Sequence, residues 1–294
     1  DIHIKEFKRL GVTGDFENYY STMSFTAEAQ IVRELGKFLI DGSLYQGFKP
    51  VFWSTVEKTA LADAEVEYEE HTSNTIFTAF KIKKTPKDFL KDSNIIIWTT
   101  TPWTIPANRA LAFNSGIEYS LVEINNLENF EEKKIIVATN LLDSVVKACG
   151  IKKFEILKTF NGAEFEGTIC THPFQSLGFN FDVPMLDARF VTLEQGTGIV
   201  HCAPSHGPDD FNLCLKHNIP SKYTVDNSGY YTNEIPFFSK THVFKADPIV
   251  IDKLKELKKL LKNDKLQHSY PHSWRSKAPL IYRATPQWFI SMEK

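Results

Sequence analysis

Two stretches of this sequence hold more chemistry than ordinary packing needs. The first is NIIIWTTTPWTIPANRA, Asn94 to Ala110, in which an apolar strand runs into Thr99, Thr100 and Thr101 and then Thr104 between two prolines. Strand side chains alternate faces, so an inward hydroxyl in such a run needs a partner. A strand passing into a polar loop is the plain structural explanation. The second stretch is GTGIVHCAPSHGPDDF, residues 196–211. A strand there carries His201, a Pro-Ser-His-Gly turn carries His206, and Asp209 and Asp210 enter a helix. A strand-to-helix turn gathers side chains and free backbone N–H groups in one place, which suits a ligand. Each residue also has a structural role open to it: His201 as a satisfied core histidine, the aspartates as charges favoured by the helix dipole.

Two chemistries compete for these residues. In one, His201, His206 and an aspartate bind a metal, giving a His/Asp metallohydrolase; the residue types fit, but the spacing matches no specific motif. In the other, the site holds a polar organic substrate, with threonine hydroxyls on one wall and a carboxylate facing a cationic group. No G-x-S-x-G elbow and no Cys-His arrangement supplies a strong nucleophile.

The surrounding pattern is rich in short strands. Residues 75–82, 94–100, 117–124, 133–139, 153–160 and 196–203 read as β-runs. Helices are expected over 24–41, with Gly42 as the stop, over 140–149 with Thr139 as N-cap, and from Gly207 to His217. A last helix begins at Asp247 (N-cap) and Pro248 (N1), with Val250, Leu254, Leu257 and Leu261 on one stripe. The fold class expected is α/β, mixed and β-rich, with a barrel-like β core and peripheral helices. Changes in texture divide the chain into an N-terminal segment (1–66), a β-rich domain (67–245) and a helix with a return segment (246–294).

Composition narrows the function. A hydrophobic content of 42% supports a real core, and a net charge of −2 argues against a face that grips long duplex nucleic acid, though not against one that holds a short single-stranded end. The four cysteines form no CxxC pair, which suits a reducing cytosol. No 18-residue apolar run and no signal-peptide layout are present, so no membrane partner is expected. The first residue, Asp1, suggests a piece of a longer chain.

WTTTPWTIPAN followed by GTGIVHCAPSHGPDD resembles the inserted editing (CP1) domain of the class I synthetases for isoleucine, valine and leucine. FKRLGVTGDFENYYSTM (7–23), TALADAEVEY (59–68) and QHSYPHSWRSKAPLIYRATPQWFISM (267–292) narrow the likeness to bacterial or organellar isoleucyl-tRNA synthetases. It covers essentially the whole chain. The HIGH and KMSKS signatures of aminoacylation are absent, so ATP and Mg belong to a synthetic site outside this sequence.

The resemblance implies hydrolysis of the aminoacyl ester of valyl-tRNA(Ile), presented as the 3′ end, by a monomeric cytoplasmic module attached to the rest of a synthetase. It implies that Thr99, Thr100, Thr101 and Thr104 line the hydrolytic pocket and that Asn108 takes part in editing. His201 shapes the amino-acid pocket, Asp210 anchors the α-ammonium, and Trp98 and His206 could face the adenosine. The group that deprotonates the water stays open: a ribose hydroxyl, a threonine-held water or His201. Some relatives hold zinc between two CxxC pairs; Ser54, Glu57, Ser273 and Ser276 stand there, so no zinc and no editing cofactor are expected. A module that holds the tRNA end without hydrolysing it is the remaining alternative.

Overall fold

The structure, a computed structural model, describes residues 1–125 and 127–292. It divides into two compact units, 1–47 with 286–294, and 48–285. In the first unit, α1 (Ile2–Arg9) precedes α2 (Phe25–Ile40). Ser24 caps α2 by accepting the Ala27 N–H, and Gly42 follows with φ of +77°. The stripe of Ile31, Leu35, Phe38 and Leu39 lies on α2 but is exposed.

The second unit is built on strands, the first and last of which also contribute residues 44–47 and 286–290 to the first unit. In chain order they are β1 (Leu44–Ser54), β2 (Thr59–Ala60), β3 (Val66–Lys84), β4 (Asn94–Thr99), β5 (Ala110–Phe113), β6 (Glu118–Ile124) and β7 (Lys134–Ala138). There follow β8 (Phe154–Asn161), β9 (Ile169–Thr171), β10 (Asp182–Asp187), β11 (Val200–Cys202), β12 (Leu260–Ser273) and β13 (Ile281–Ile290). The helices are α3 (Leu142–Cys149), α4 (Pro208–Lys216) and α5 (Ala246–Glu256). The large sheet runs β11-β5-β10-β9-β3-β4-β7-β6-β8, with β12 also on β3. The β-rich expectation holds, but no pairing among the described residues joins β11 to β8, so the sheet is open rather than a closed barrel.

The hub is β3, whose 19 residues serve three partners in succession. Its first two-thirds pair with β12, Ile76 to Lys81 pair with β4, and its end pairs with β9. On β4, Asn94 to Ile97 are buried, and Trp98 and Thr99 are half-buried where the strand leaves the sheet. The next residues, Pro102–Ala107, form a fully buried 3-10 turn. The main core cluster includes Trp103 and Ile105 from this turn, packed with Phe80, Ile97 and Ile199 among others. The threonine run therefore leads from the sheet edge into the core, with Thr99, Thr100 and Thr101 half-buried and Thr104 buried.

Four expectations need correction. Only Val200–Cys202 of the run 196–203 is strand; Gly196–Ile199 is irregular backbone. Thr139 does not cap α3: a 3-10 turn, Thr139–Leu141, precedes that helix, and the Thr139 hydroxyl meets that of Ser120 at 2.9 Å. Asp247 is not an N-cap, because α5 already starts at Ala246 and the Asp247 side chain bonds elsewhere. The final stripe also overruns, since α5 stops at Glu256 and Leu261 belongs to β12.

Ser54, Glu57, Ser273 and Ser276 converge despite their separation in sequence. Glu57 Oε1 accepts from Ser273 Oγ at 2.8 Å and from the Ser276 N–H at 3.1 Å, while Glu57 N donates to Ser54 Oγ at 3.1 Å. Burial opposes ionisation of Glu57, but bonds from the three serines outweigh it and hold the carboxyl below its ordinary range.

Candidate active site

A hydrogen-bonded chain joins five residues from the two sequence stretches. Thr99 Oγ1 lies 3.2 Å from Thr101 Oγ1 and accepts the Thr101 N–H at 3.1 Å. Thr101 Oγ1 is 3.4 Å from Thr104 Oγ1, which is 2.9 Å from His201 Nε2. Asn108 Nδ2, which also donates to Ala110 O, is 2.7 Å from His201 Nδ1. The donors fix the tautomer. Asn108 donates to Nδ1, so Nε2 carries the proton and donates to Thr104, whose own hydroxyl donates to Thr101 O at 2.9 Å.

Backbone pairing brings these residues together. β11 is antiparallel to β5, with His201 opposite Leu111 and Cys202 opposite Ala110, and Arg109 N bonds Cys202 O. The segment after the proline-rich turn thus lies beside the strand that carries His201. The His201 ring is buried, and burial pushes its pKa down to about 3, with His172 and His206 adding like-charge repulsion. It is a neutral imidazole with both nitrogens engaged.

A cleft of about 280 Å³ lies between the end of β4 and the turn before β11, lined by Trp98, Thr99, Thr100, Gly196 and Val200 among others. Gly198 explains the glycine requirement of this turn: its φ is +73°, and a Cβ there would lie 2.4 Å from Ala138 Cβ. A second cleft of about 240 Å³ is bordered by Thr100, Thr101, Trp103, Asp247 and Tyr270. Thr100 therefore lines both. Trp98, opposite Phe77 in the sheet, walls the first.

Asp210 is half-buried in the first turn of α4, where Oδ2 accepts the Ala203 N–H at 2.9 Å. Burial raises its carboxyl to about 6, against the pull of that N–H. Its link to His201 runs through the backbone of the β11 end, two residues away. Asp209 is exposed. His206 makes a different set of contacts: Nδ1 donates to Tyr282 O at 2.8 Å and Nε2 accepts from Thr224 Oγ1 at 2.9 Å, with the ring edge-on to Trp103. Both nitrogens are used within the fold, which leaves a ligand at most the ring. Among the described residues no three His, Cys, Asp or Glu side chains are grouped as a metal would need.

Sequence reading missed the residues that grip the proline-rich turn from outside. Trp103 N donates to Asp247 Oδ1 at 3.0 Å, Trp103 O accepts from the Tyr231 hydroxyl, and Ile105 O accepts from His172 Nε2 at 3.0 Å. One signal was available: two prolines in six residues leave the turn short of internal donors. Nothing local marks Tyr231 or His172 as the partners.

The profile of the tRNA synthetases class I (I, L, M and V) matches residues 1–294. The isoleucine–tRNA ligase of Pelagibacter ubique is 66% identical over 293 residues, which span 100% of this chain and 32% of that protein. That of Gluconobacter oxydans is 48% identical over 306 residues, 98% of this chain and 32% of its own length. The chain thus spans about a third of the length of these curated relatives. Among solved structures, the crystal structure of GlLeuRS-CP1 superposes with a TM-score of 0.50 at 12% identity, covering 65% of this chain and 99% of that one, a likeness of fold. The editing domain of the P. knowlesi cytosolic leucyl-tRNA synthetase gives 0.47 at 11% identity, over 64% and 95%. With a match that runs from its first residue to its last, the chain belongs to the class I tRNA synthetases for isoleucine, leucine, methionine and valine.

Proposed function

We propose that this chain is the editing module of an isoleucyl-tRNA synthetase and hydrolyses the ester of valine mischarged onto tRNA(Ile). One observation carries the reading: the chain Thr99–Thr101–Thr104–His201–Asn108, which fixes a neutral histidine behind a wall of hydroxyls beside an open cleft. A pocket that accepts isoleucine cannot strongly reject valine, because one missing methylene is worth only ~1–3 kcal/mol, a known figure for this pair of amino acids. A second pocket that admits valine and excludes isoleucine supplies the remaining selectivity.

In this reading His201 is the steric stop of that second pocket. With Nδ1 accepting from Asn108, Nε2 donating to Thr104 and a pKa near 3, it is poorly placed to act as a general base. Thr104 spends its hydroxyl proton on Thr101 O, so Thr101 donates to Thr104 and Thr99 to Thr101. Thr100, which borders both clefts, keeps its hydroxyl proton for water and ester, and Thr99 offers them an acceptor oxygen. An aminoacyl ester is already activated, and a positioned water with a stabilised oxyanion suffices without a covalent intermediate. The water's proton goes to the terminal ribose hydroxyl or through a threonine-held water. Asp210 keeps one oxygen on Ala203 N–H and turns the other toward the α-ammonium. The cleft beside Trp98 takes the terminal adenosine. No metal and no zinc take part in this scheme.

The test is deacylation of valyl-tRNA and isoleucyl-tRNA, both on the isoleucine acceptor. The valyl ester should be cleaved selectively. Loss of both esters at the uncatalysed rate would leave a passive holder of the tRNA end.

A further inference from the structure

We propose that Asp247 is a positioning residue for the threonine turn: its carboxylate holds the Pro102–Trp103 peptide in the orientation that presents Thr101 and Thr104. The turn Pro102–Ala107 has few bonds of its own. Thr104 N reaches Thr101 O and Asn108 N reaches Ile105 O, while Pro102 and Pro106 have no N–H to offer. The Trp103 N–H is buried and points out of the turn, to Asp247 Oδ1 at 3.0 Å. The other carboxylate oxygen accepts from Asn74 Nδ2 on β3 at 3.1 Å. Asp247 therefore ties the turn to the hub strand from a position 144 residues away. It also borders the cleft that Thr100 and Thr101 line, so the tether and those two threonines share one wall of that space.

A helix cap would not explain these contacts, since α5 starts one residue earlier and the two Asp247 oxygens bond Trp103 and Asn74, both outside the helix. Burial raises its carboxyl pKa, against the bonds from Asn74 and Trp103. Acceptor geometry is what the site needs. An asparagine in the same place could offer its carbonyl oxygen to Trp103 N and, once the Asn74 amide turns over, its NH2 to the Asn74 carbonyl, whereas alanine leaves a buried donor unpaired and the peptide free to rotate. Misplacement of reacting groups by about an ångström is enough to cost up to roughly a hundredfold in rate.

The inference rests on the hydrolytic reading above, and its test separates the two. Deacylation of valyl-tRNA is measured for the wild type, Asp247→Ala and Asp247→Asn, alongside amide hydrogen exchange at Trp103. Asp247→Ala should lower kcat at least about tenfold with KM changed less than about threefold, and Trp103 exchange should accelerate while the amides of β3 and β4 keep their protection. Asp247→Asn should restore kcat and the slow exchange. Unchanged kcat or unchanged Trp103 protection in Asp247→Ala overturns the proposal, as does equal damage in both variants. A wild type inert toward both esters defeats the hydrolytic reading instead, and the tether then stands or falls on the exchange data.

Discussion

At the scale of single residues, the site makes opposite demands on two ionisable groups. His201 is neutral throughout the working range, so it should add no limb to the pH–rate profile. If it is the stop of the sieve, His201→Ala should admit isoleucyl-tRNA to hydrolysis while the valyl ester is cleaved at a similar rate; parallel loss on both esters would make the ring a catalytic or core group. Asp210 titrates near 6, above its ordinary 3.8. A raised folded pKa means that the folded state binds the proton more tightly, so ionisation weakens the fold as pH rises from about 4 through 6. Asp210→Asn should therefore stabilise the protein at pH 7.5, by on the order of 1–3 kcal/mol, and hardly at pH 4, as thermal melts would show. The same change should cost at least tenfold in deacylation, and wild-type activity should fall below pH 6 as the ammonium anchor protonates. Asp209→Ala, at an exposed position, is the control and should keep most of the activity.

Among elements, the turn before β11 carries the sharpest expectation. Gly196 and Gly198 both have positive φ, but only at Gly198 would a Cβ meet another side chain at 2.4 Å. Gly198→Ala should cost about 2–4 kcal/mol, from strain and the clash with Ala138, and Gly196→Ala only about 1. Denaturant melts that give equal losses would show that backbone strain alone decides. Strands 4, 6, 7 and 8 were legible in the sequence because their apolar runs are bounded by turn residues. β12 was not: its run Lys262–Gln267 is exposed and mostly polar, with no apolar alternation to mark it, and it is a strand because it pairs along β3. The site was half legible. Threonines and His201 stand out by type, but Asp247 looked like a helix cap because Asp-Pro is a cap-and-N1 signature, and its real partner lies across the fold.

For the molecule as a whole, charge sets the terms of its meeting with nucleic acid. A net charge of −2 offers few phosphate contacts, so this chain alone should bind tRNA no better than about micromolar at physiological salt, with a shallow dependence on ionic strength. Titration at two salt concentrations checks this; nanomolar affinity would reveal a basic track unseen in the overall balance. The relatives are three times longer, and in the proposed function the added length supplies the grip. Elemental analysis should find no stoichiometric zinc, and deacylation should survive a chelator.

The convergence of Ser54, Glu57, Ser273 and Ser276 fastens segments more than 200 residues apart with one carboxylate. Such a clasp answers to protons. Because Glu57 is held below its ordinary range in the folded protein, its contribution is whole above the unfolded carboxylate pKa and fades as pH falls through the lower folded value. A thiolate cage in the same place would loosen to chelators and oxidants; serine hydroxyls and a carboxylate carry no oxidisable sulfur, and acid is what weakens their bonds.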